Sequence, residues 1–279
     1  MVAELDAAQI RLVVNADDFG MSQSISRGVL RAHRDGIVTS TSLLGNCADI
    51  DIARALLAEA PSLGVGVHLA LVQGTPVADP ASVPSLLGPD GRFPPSAADF
   101  IAAWTKRRIV AEEVEREFDA QVARARAAGL TIDHLDTHHH LGFLPVVGRT
   151  VETIARRHGI AGIRSAVESP TLSWATDPRR GIKAGVLTGL GWLTRRQLGS
   201  RRHGAQSWGY VESGRLDEVR VLEIIGRLGP GPHELICHPG EDSTTGYDHA
   251  GELRALTSPN VRRALGQRGV TLCRWGDLF

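Results

Sequence analysis

Five short stretches of this 279-residue chain carry side chains able to hold a metal ion and move protons. The first is VNADDFG, Val14 to Gly20, where two aspartates follow an apolar run. Adjacent carboxylates repel unless a cation compensates. Asp17 and Asp18 therefore suit a site in which one ligates a metal while the other takes a proton from water. The second is HLDTHHHLG, His134 to Gly142. On an extended chain Asp136, His138 and His140 share one face and His139 takes the other. An H-x-H pair is a common imidazole chelate for zinc or another divalent ion. His68 in GVGVHLAL and His238 in LICHPGE each close an apolar run, and Arg164 ends one in GIRSA. Each stretch alone has a plainer reading: a turn or helix cap for the aspartates, core or capping roles for the histidines, a surface ion pair for Arg164. Together they favour one site, in which Arg164 orients Asp17 or holds a substrate oxygen.

The elements that must position these groups follow an alternating pattern. IRLVV (10–14), IVTSTSLL (37–44), LGVGVHLAL (63–71), LTIDHLDTH (130–138), IAGIRSA (160–166), HELICHP (233–239) and VTLCRW (270–275) read as strands. Helices are expected over 22–36 with Ser22 near the cap, 48–61, 107–129, 145–159 with Pro145 in its first turn, 216–228 and 251–265. Residues 74–95 read as a Pro/Gly-rich loop. This rhythm predicts an α/β fold with a mostly parallel sheet and right-handed crossovers, a distorted, TIM-barrel-like (β/α) barrel. A doubly wound open sheet competes, but no G-x-G-x-x-G follows the first strand and no Walker sequence occurs. In either fold the carboxyl ends of the strands share one rim, where active sites form. Asp17, Asp18, His68, His138, Arg164 and His238 all fall at such ends. The chain is read as one domain, 1–279, with a basic insertion at about 168–211.

Composition narrows the function classes. With 31 basic and 31 acidic residues the formal charge is zero, which argues against a general nucleic-acid binder. Cys47, Cys237 and Cys273 are far apart and form no CxxC pair, so they read as buried small hydrophobes in a reducing compartment. The first 14 residues lack the apolar stretch of a signal peptide. Gly181–Leu193, the most apolar later segment, is too short to span a bilayer and is a candidate homodimer interface. A cytoplasmic protein with no transmembrane segment is expected.

VNADDFG, GVHLAL, HLDTHHH, IRSA and ELICHPG, in this order and spacing, resemble the YdjC-like carbohydrate deacetylases, which include chitooligosaccharide deacetylases. The resemblance runs from Leu12 to about Leu272. It implies a distorted (β/α) barrel, one divalent metal ion, and hydrolytic removal of N-acetyl groups from an amino sugar or oligosaccharide. It further implies Asp18, His68 and His138 as metal ligands, Asp17 as general base and His238 as general acid. Two imidazoles and a carboxylate leave coordination positions open, as a catalytic site requires. The donor set suits magnesium or zinc, and also manganese or cobalt. Asp136 is then placed to bond a ligand imidazole or Arg164, with Arg164 and His140 as further substrate or outer contacts. Relatives often carry a histidine where this chain has Gly142.

Other readings remain. A metal-dependent phosphoesterase could use the same rim, and a sugar-binding relative could keep the barrel without catalysis. Arg179, Arg180, Lys183, Arg195, Arg196, Arg201 and Arg202 form either an anionic-surface binder or a solvated insertion.

Overall fold

The computed structural model describes residues 9–164, 167–171, 177, 181–182, 185–186, 188–190, 192, 205–243 and 246–279. Strand β1 (Ile10–Phe19) leads into α1 (Gln23–Arg34), which Ser22 caps by accepting from the Ile25 N–H. Then follow β2 (Ser40–Leu44), α2 (Ile50–Leu57), β3 (Gly64–Leu69), α3 (Ala97–Thr105), α4 (Ala111–Ala127) and β4 (His134–Thr137). Next come α5 (Pro145–Arg157), β5 (Gly162–Ile163) and β6 (Gln206–Trp208). The chain ends through α6 (Glu218–Arg227), β7 (Gly231–Cys237), α7 (His249–Leu256), α8 (Pro259–Gln267) and β8 (Thr271–Leu272).

Every strand pairing is parallel, in the order β5-β4-β3-β2-β1-β7-β6. Among the described residues one isolated parallel bridge, Glu168 to Ser207, links the segment beyond β5 to β6, the strands at the two ends of the order. The result is the expected distorted (β/α) barrel, a curled sheet with helices outside. One edge of β1 serves two partners: β8 pairs with Arg11 and Leu12, and β2 takes over from Asn15. Leu12, Val14, Ala16, Phe19, Leu43, Val67, Leu135 and Leu235 are buried in one apolar core together with Phe100 and Phe118 from the helices.

Several boundaries differ from the sequence reading, each for a local reason. β1 extends past Val14 to Phe19, so Asp17 and Asp18 lie inside the strand rather than beyond it. The fourth and fifth strands are only four and two residues long. The loop 74–95 contains two short 3-10 turns, Pro80–Ser82 and Pro84–Leu86. Helix α3 was not expected. Ser96 caps it, but its mixed apolar and small residues lack a strong single-face period. The helix expected over 251–265 is two helices, because Ser258-Pro259 cannot continue the first and instead caps and opens the second. The stretch read as a basic insertion supplies, in its described part, Glu168 and the barrel strand β6. Its seven basic residues Arg179, Arg180, Lys183, Arg195, Arg196, Arg201 and Arg202 lie outside the described residues. Cys47 and Cys237 are buried as expected, while Cys273 is half-buried. No helix among the described residues is long and apolar enough to cross a membrane.

Candidate active site

The aspartate pair is placed by a fault in the β1 ladder. Pairing with β2 runs Ala16 to Thr41 but Phe19 to Leu43, so β1 carries one extra residue there. Asp18 takes up the extra length in the left-handed region, with φ 66°. A regular strand would send neighbours to opposite faces, and the bulge lets both carboxylates reach the cleft at the rim.

Register supplies the next group. His68 at the end of β3 is the direct lateral partner of Asp136 in β4, and its Nδ1 lies 2.7 Å from Asp136 Oδ1. A carboxylate can only accept, so Nδ1 carries a proton, and Nε2 is the nitrogen that can bind an ion once its own proton is lost. That Nε2 lies 3.4 Å from Asp18 Oδ1. His138 sits just past β4, with Nδ1 3.0 Å from the same Asp18 oxygen and Nε2 3.2 Å from Gln73 Oε1. In the tautomer with its proton on Nε2, His138 would turn its Nδ1 lone pair toward Asp18.

Three potential ligand atoms from three strand ends converge: Asp18, His68 and His138 offer atoms all within 4.8 Å of one another, and all three residues are buried. Asp18 Oδ1 is buried and lies 3.0 Å from His138 Nδ1 and 3.4 Å from His68 Nε2. A carboxylate and two imidazole nitrogens at such distances fit a shared divalent cation. A second group, Asp17, His68 and Asp136, also lies within 4.8 Å, but Arg164 already neutralises its carboxylates.

Arg164, just beyond β5, is the hub of the interior. Its Nη2 and Nη1 donate to Asp17 Oδ1 and Oδ2 at 2.6 and 2.7 Å. Nη1 also lies 2.8 Å from Asp136 Oδ2, and Nε donates to Glu234 Oε1 at 2.8 Å. Its described charged contacts run to three buried carboxyl groups, those of Asp17, Asp136 and Glu234. Asn15 donates to Asp17 Oδ1 and to Ser42 Oγ, and Ser42 donates to Asp136 Oδ2 at 2.6 Å.

Electrostatics follow from these contacts. Burial alone would raise the Asp17 pKa, but Arg164 and then His68 outweigh it and hold the carboxyl well below the usual range. Asp18 is likewise held low against burial, mainly by His138. Burial opposes charge on His68, yet Asp136 and Asp17 bring its pKa up to about 9 in the metal-free protein. Burial pushes the Glu234 carboxyl up, with Arg164 opposing.

His238 follows β7, which flanks β1 on the side away from β2. Its Nε2 is 4.0 Å from Asp17 Oδ2, and its buried Nδ1 has no hydrogen bond, lying 3.9 Å from Glu252 Oε2. Glu252 accepts from the backbone N–H groups of His238 and Gly214, fixing the turn that carries the histidine.

His140 needs a correction. The extended alternation with His138 fails, because His139 and His140 both turn left-handed, with φ 53° and 55°. His140 lies instead edge-on to Tyr210 at the cleft wall, ring centres 4.4 Å apart, while His139 is exposed. Burial, then Arg164, keeps the His140 ring well below its ordinary pKa. At Gly142 the N–H donates to Thr137 Oγ1 at 2.8 Å, and an added Cβ would press on that oxygen. The cleft, about 370 Å³, is lined by Asp17, Asp18, His68, His138 and His238 with Ile101, Phe143, Tyr210 and Tyr247.

Sequence reasoning missed Gln73, Glu234 and Glu252. Glu234 had a visible signal, an acidic residue two places before Ile236 inside an apolar strand. Gln73 and Glu252 had none, since each reaches the site from a loop or helix distant in sequence.

Comparison with known proteins places this geometry. A family model described as YdjC-like protein matches residues 11–267. The chain belongs to the YdjC-like family. Among its relatives, a carbohydrate deacetylase of Brevibacillus brevis is 44% identical, with 96% of this chain and 100% of that one aligned. A chitooligosaccharide deacetylase of Salmonella paratyphi B is 30% identical over 92% of this chain and 95% of that one. A solved structure described as a candidate cellobiose-phosphate cleavage protein from Enterococcus faecalis V583 superposes with a TM-score of 0.77 at 25% identity, covering 97% and 99% of the two chains. A CE4-family pseudoenzyme from Bacillus anthracis, TM-score 0.50 at 10% identity over 97% of this chain and 65% of that one, shares the fold alone.

Proposed function

We propose that this YdjC-like protein is a metal-dependent carbohydrate deacetylase that removes N-acetyl groups from an amino sugar or oligosaccharide. The observation that carries the reading is the convergence of Asp18, His68 and His138. Asp136 holds His68 by Nδ1, so that its Nε2 faces the shared point. The names of the aligned relatives supply the substrate class.

Asp18, His68 and His138 would hold the ion. When bound, a divalent cation, magnesium or zinc, supplies Lewis acidity that polarises the amide carbonyl and acidifies water. Asp17 accepts the proton of the attacking water. Its Oδ2 faces the cleft 3.9 Å from His68 Nε2 and 4.0 Å from His238 Nε2. The two-pronged contact from Arg164 keeps this carboxylate ionised and fixes its aim. His238 delivers a proton from Nε2 to the departing nitrogen. Proton transfers of this kind typically contribute ~10²–10⁴-fold each. Asp136 holds His68, Arg164 holds Asp17 and Asp136 together, and His140 with Tyr210 forms a wall for the sugar.

The test is acetate release from N-acetylglucosamine oligomers and lipid-linked N-acetyl sugars, with added divalent metal and with chelator. Chelator-sensitive acetate release is expected. Metal-replete protein that frees no acetate from either substrate class, or works equally well in chelator, overturns the proposal; phosphate release from phosphoesters would favour the phosphoesterase reading.

A further inference from the structure

Left-handed backbone in a residue with a Cβ is uncommon and costs free energy, so such residues gather where a site demands them. Five described non-glycine residues have it: Asp18, Gln73, Arg107, His139 and His140. Asp18, His139 and His140 belong to the cleft itself. Gln73 does not line the cleft, and the chemistry proposed above gives it no part.

The chain nevertheless builds a scaffold to hold this residue. Gln73 N–H donates to Pro94 O at 2.9 Å, and Asn46 Nδ2 donates to Gln73 O at 2.9 Å. The excursion that carries it is fixed at both ends by two buried side chains one turn apart on α4. Gln121 exchanges hydrogen bonds with the backbone N–H and carbonyl of Ala70. Glu117 accepts from the N–H groups of Val77 and Ala78 at 3.0 Å each. The one polar contact described for the Gln73 side chain is Oε1 to His138 Nε2.

We infer that Gln73 is a positioning residue for the metal ligand His138: as an acceptor on Nε2–H it selects the tautomer whose Nδ1 lone pair meets Asp18. It does for His138 what Asp136 does for His68, from a neutral side chain at the exposed rim. This inference rests on the proposed cation at Asp18, His68 and His138. Outer partners of ligating histidines typically change metal affinity about 10–100-fold, and the 3.2 Å length of this contact points to the lower part of that range.

The experiment compares zinc affinity of wild type, Gln73→Met, Gln73→Glu and Gln73→Gly by competition with a chromogenic chelator. Gln73→Met keeps the length and removes the acceptor, so its affinity falls about 10-fold or more. Gln73→Glu keeps an acceptor and retains at least wild-type affinity. Gln73→Gly relaxes the left-handed backbone, so thermal stability holds or rises while zinc affinity falls as for Met. In zinc-loaded wild type, heteronuclear NMR of the imidazoles shows the His138 proton on Nε2. Wild-type affinity in both the Met and Gly variants, an equal loss in Glu, or the proton on Nδ1 overturns the role of Gln73 while leaving the cation site intact. Wild-type protein that binds no divalent ion overturns the cation site and this inference with it.

Discussion

Arg164 contacts three buried carboxyl groups in the barrel interior, and Arg164→Met tests what it contributes there. The guanidinium side chain is 3% exposed, and its partners Asp17, Asp136 and Glu234 are 1%, 0% and 0% exposed. Methionine fills part of the volume and removes the cation the three carboxyl groups share, leaving His68 beside Asp136 and Asp17 and no cation on Glu234. Removing one partner of a buried ion pair costs about 3–5 kcal/mol. Against a total stability of about 5–15 kcal/mol, that is a large fraction. The carboxyls can escape by taking protons, which fixes the pH dependence. In wild type, Asp17 and Asp136 are held below their ordinary pKa, so their stabilisation is present above the unfolded carboxyl pKa and lost as pH falls below it. In the variant burial wins and raises them, so the folded form binds more protons than the unfolded one and gains stability as pH falls. The gap between the two proteins is therefore widest near pH 7–8 and narrows near about pH 5. Urea denaturation followed by tryptophan fluorescence at both pH values measures it, and a loss of 3–5 kcal/mol lowers the midpoint by about 1–2 M. A gap under about 1 kcal/mol at pH 7, or one unchanged by pH, would refute the hub role of Arg164.

Four further outcomes are expected. Asp17→Asn keeps near-normal metal content but loses turnover about 10²–10⁴-fold, measured by acetate release beside elemental analysis; wild-type turnover removes Asp17 as base. His68→Ala and His138→Ala purify without stoichiometric metal, and full occupancy in both variants refutes the ligand set. Because the metal-free His68 pKa is raised to about 9, its protonated form stabilises the apo fold fully below the unfolded histidine pKa, and this is lost as pH rises toward 9. Metal loading at pH 7 then releases protons and tightens as pH rises to about 9; calorimetry in buffers of different ionisation enthalpy would find no release if the geometry is wrong. At Gly28 an added Cβ would lie 2.3 Å from Gly240 Cα, so Gly28→Ala pushes α1 off the turn after His238. It should destabilise by about 1–3 kcal/mol and lower turnover with metal content unchanged, read by denaturation and acetate release.

The alternation of apolar runs and amphipathic stretches, with ionisable residues at the run ends, made the barrel and most of its rim legible in the amino-acid sequence. Parallel strands put their carboxyl ends on one side, so residue type and order already grouped Asp17, Asp18, His68, His138, Arg164 and His238. Local patterns could not say which atoms face which. The β1 bulge that turns Asp18 inward is a one-residue slip between two strands, visible only when both are paired. The left-handed turn at His139 and His140 broke an alternation that extended chain would have kept. The outer partners of His68 and His138, Asp136 across a strand register and Gln73 from a loop held by α4, depend on distances through space. Strand-end chemistry is a property of the sequence because polar groups there must be paired or coordinated. The choice of pair belongs to tertiary structure, because hydrogen bonds and ion pairs act over about 3 Å and no periodicity encodes that distance between remote residues.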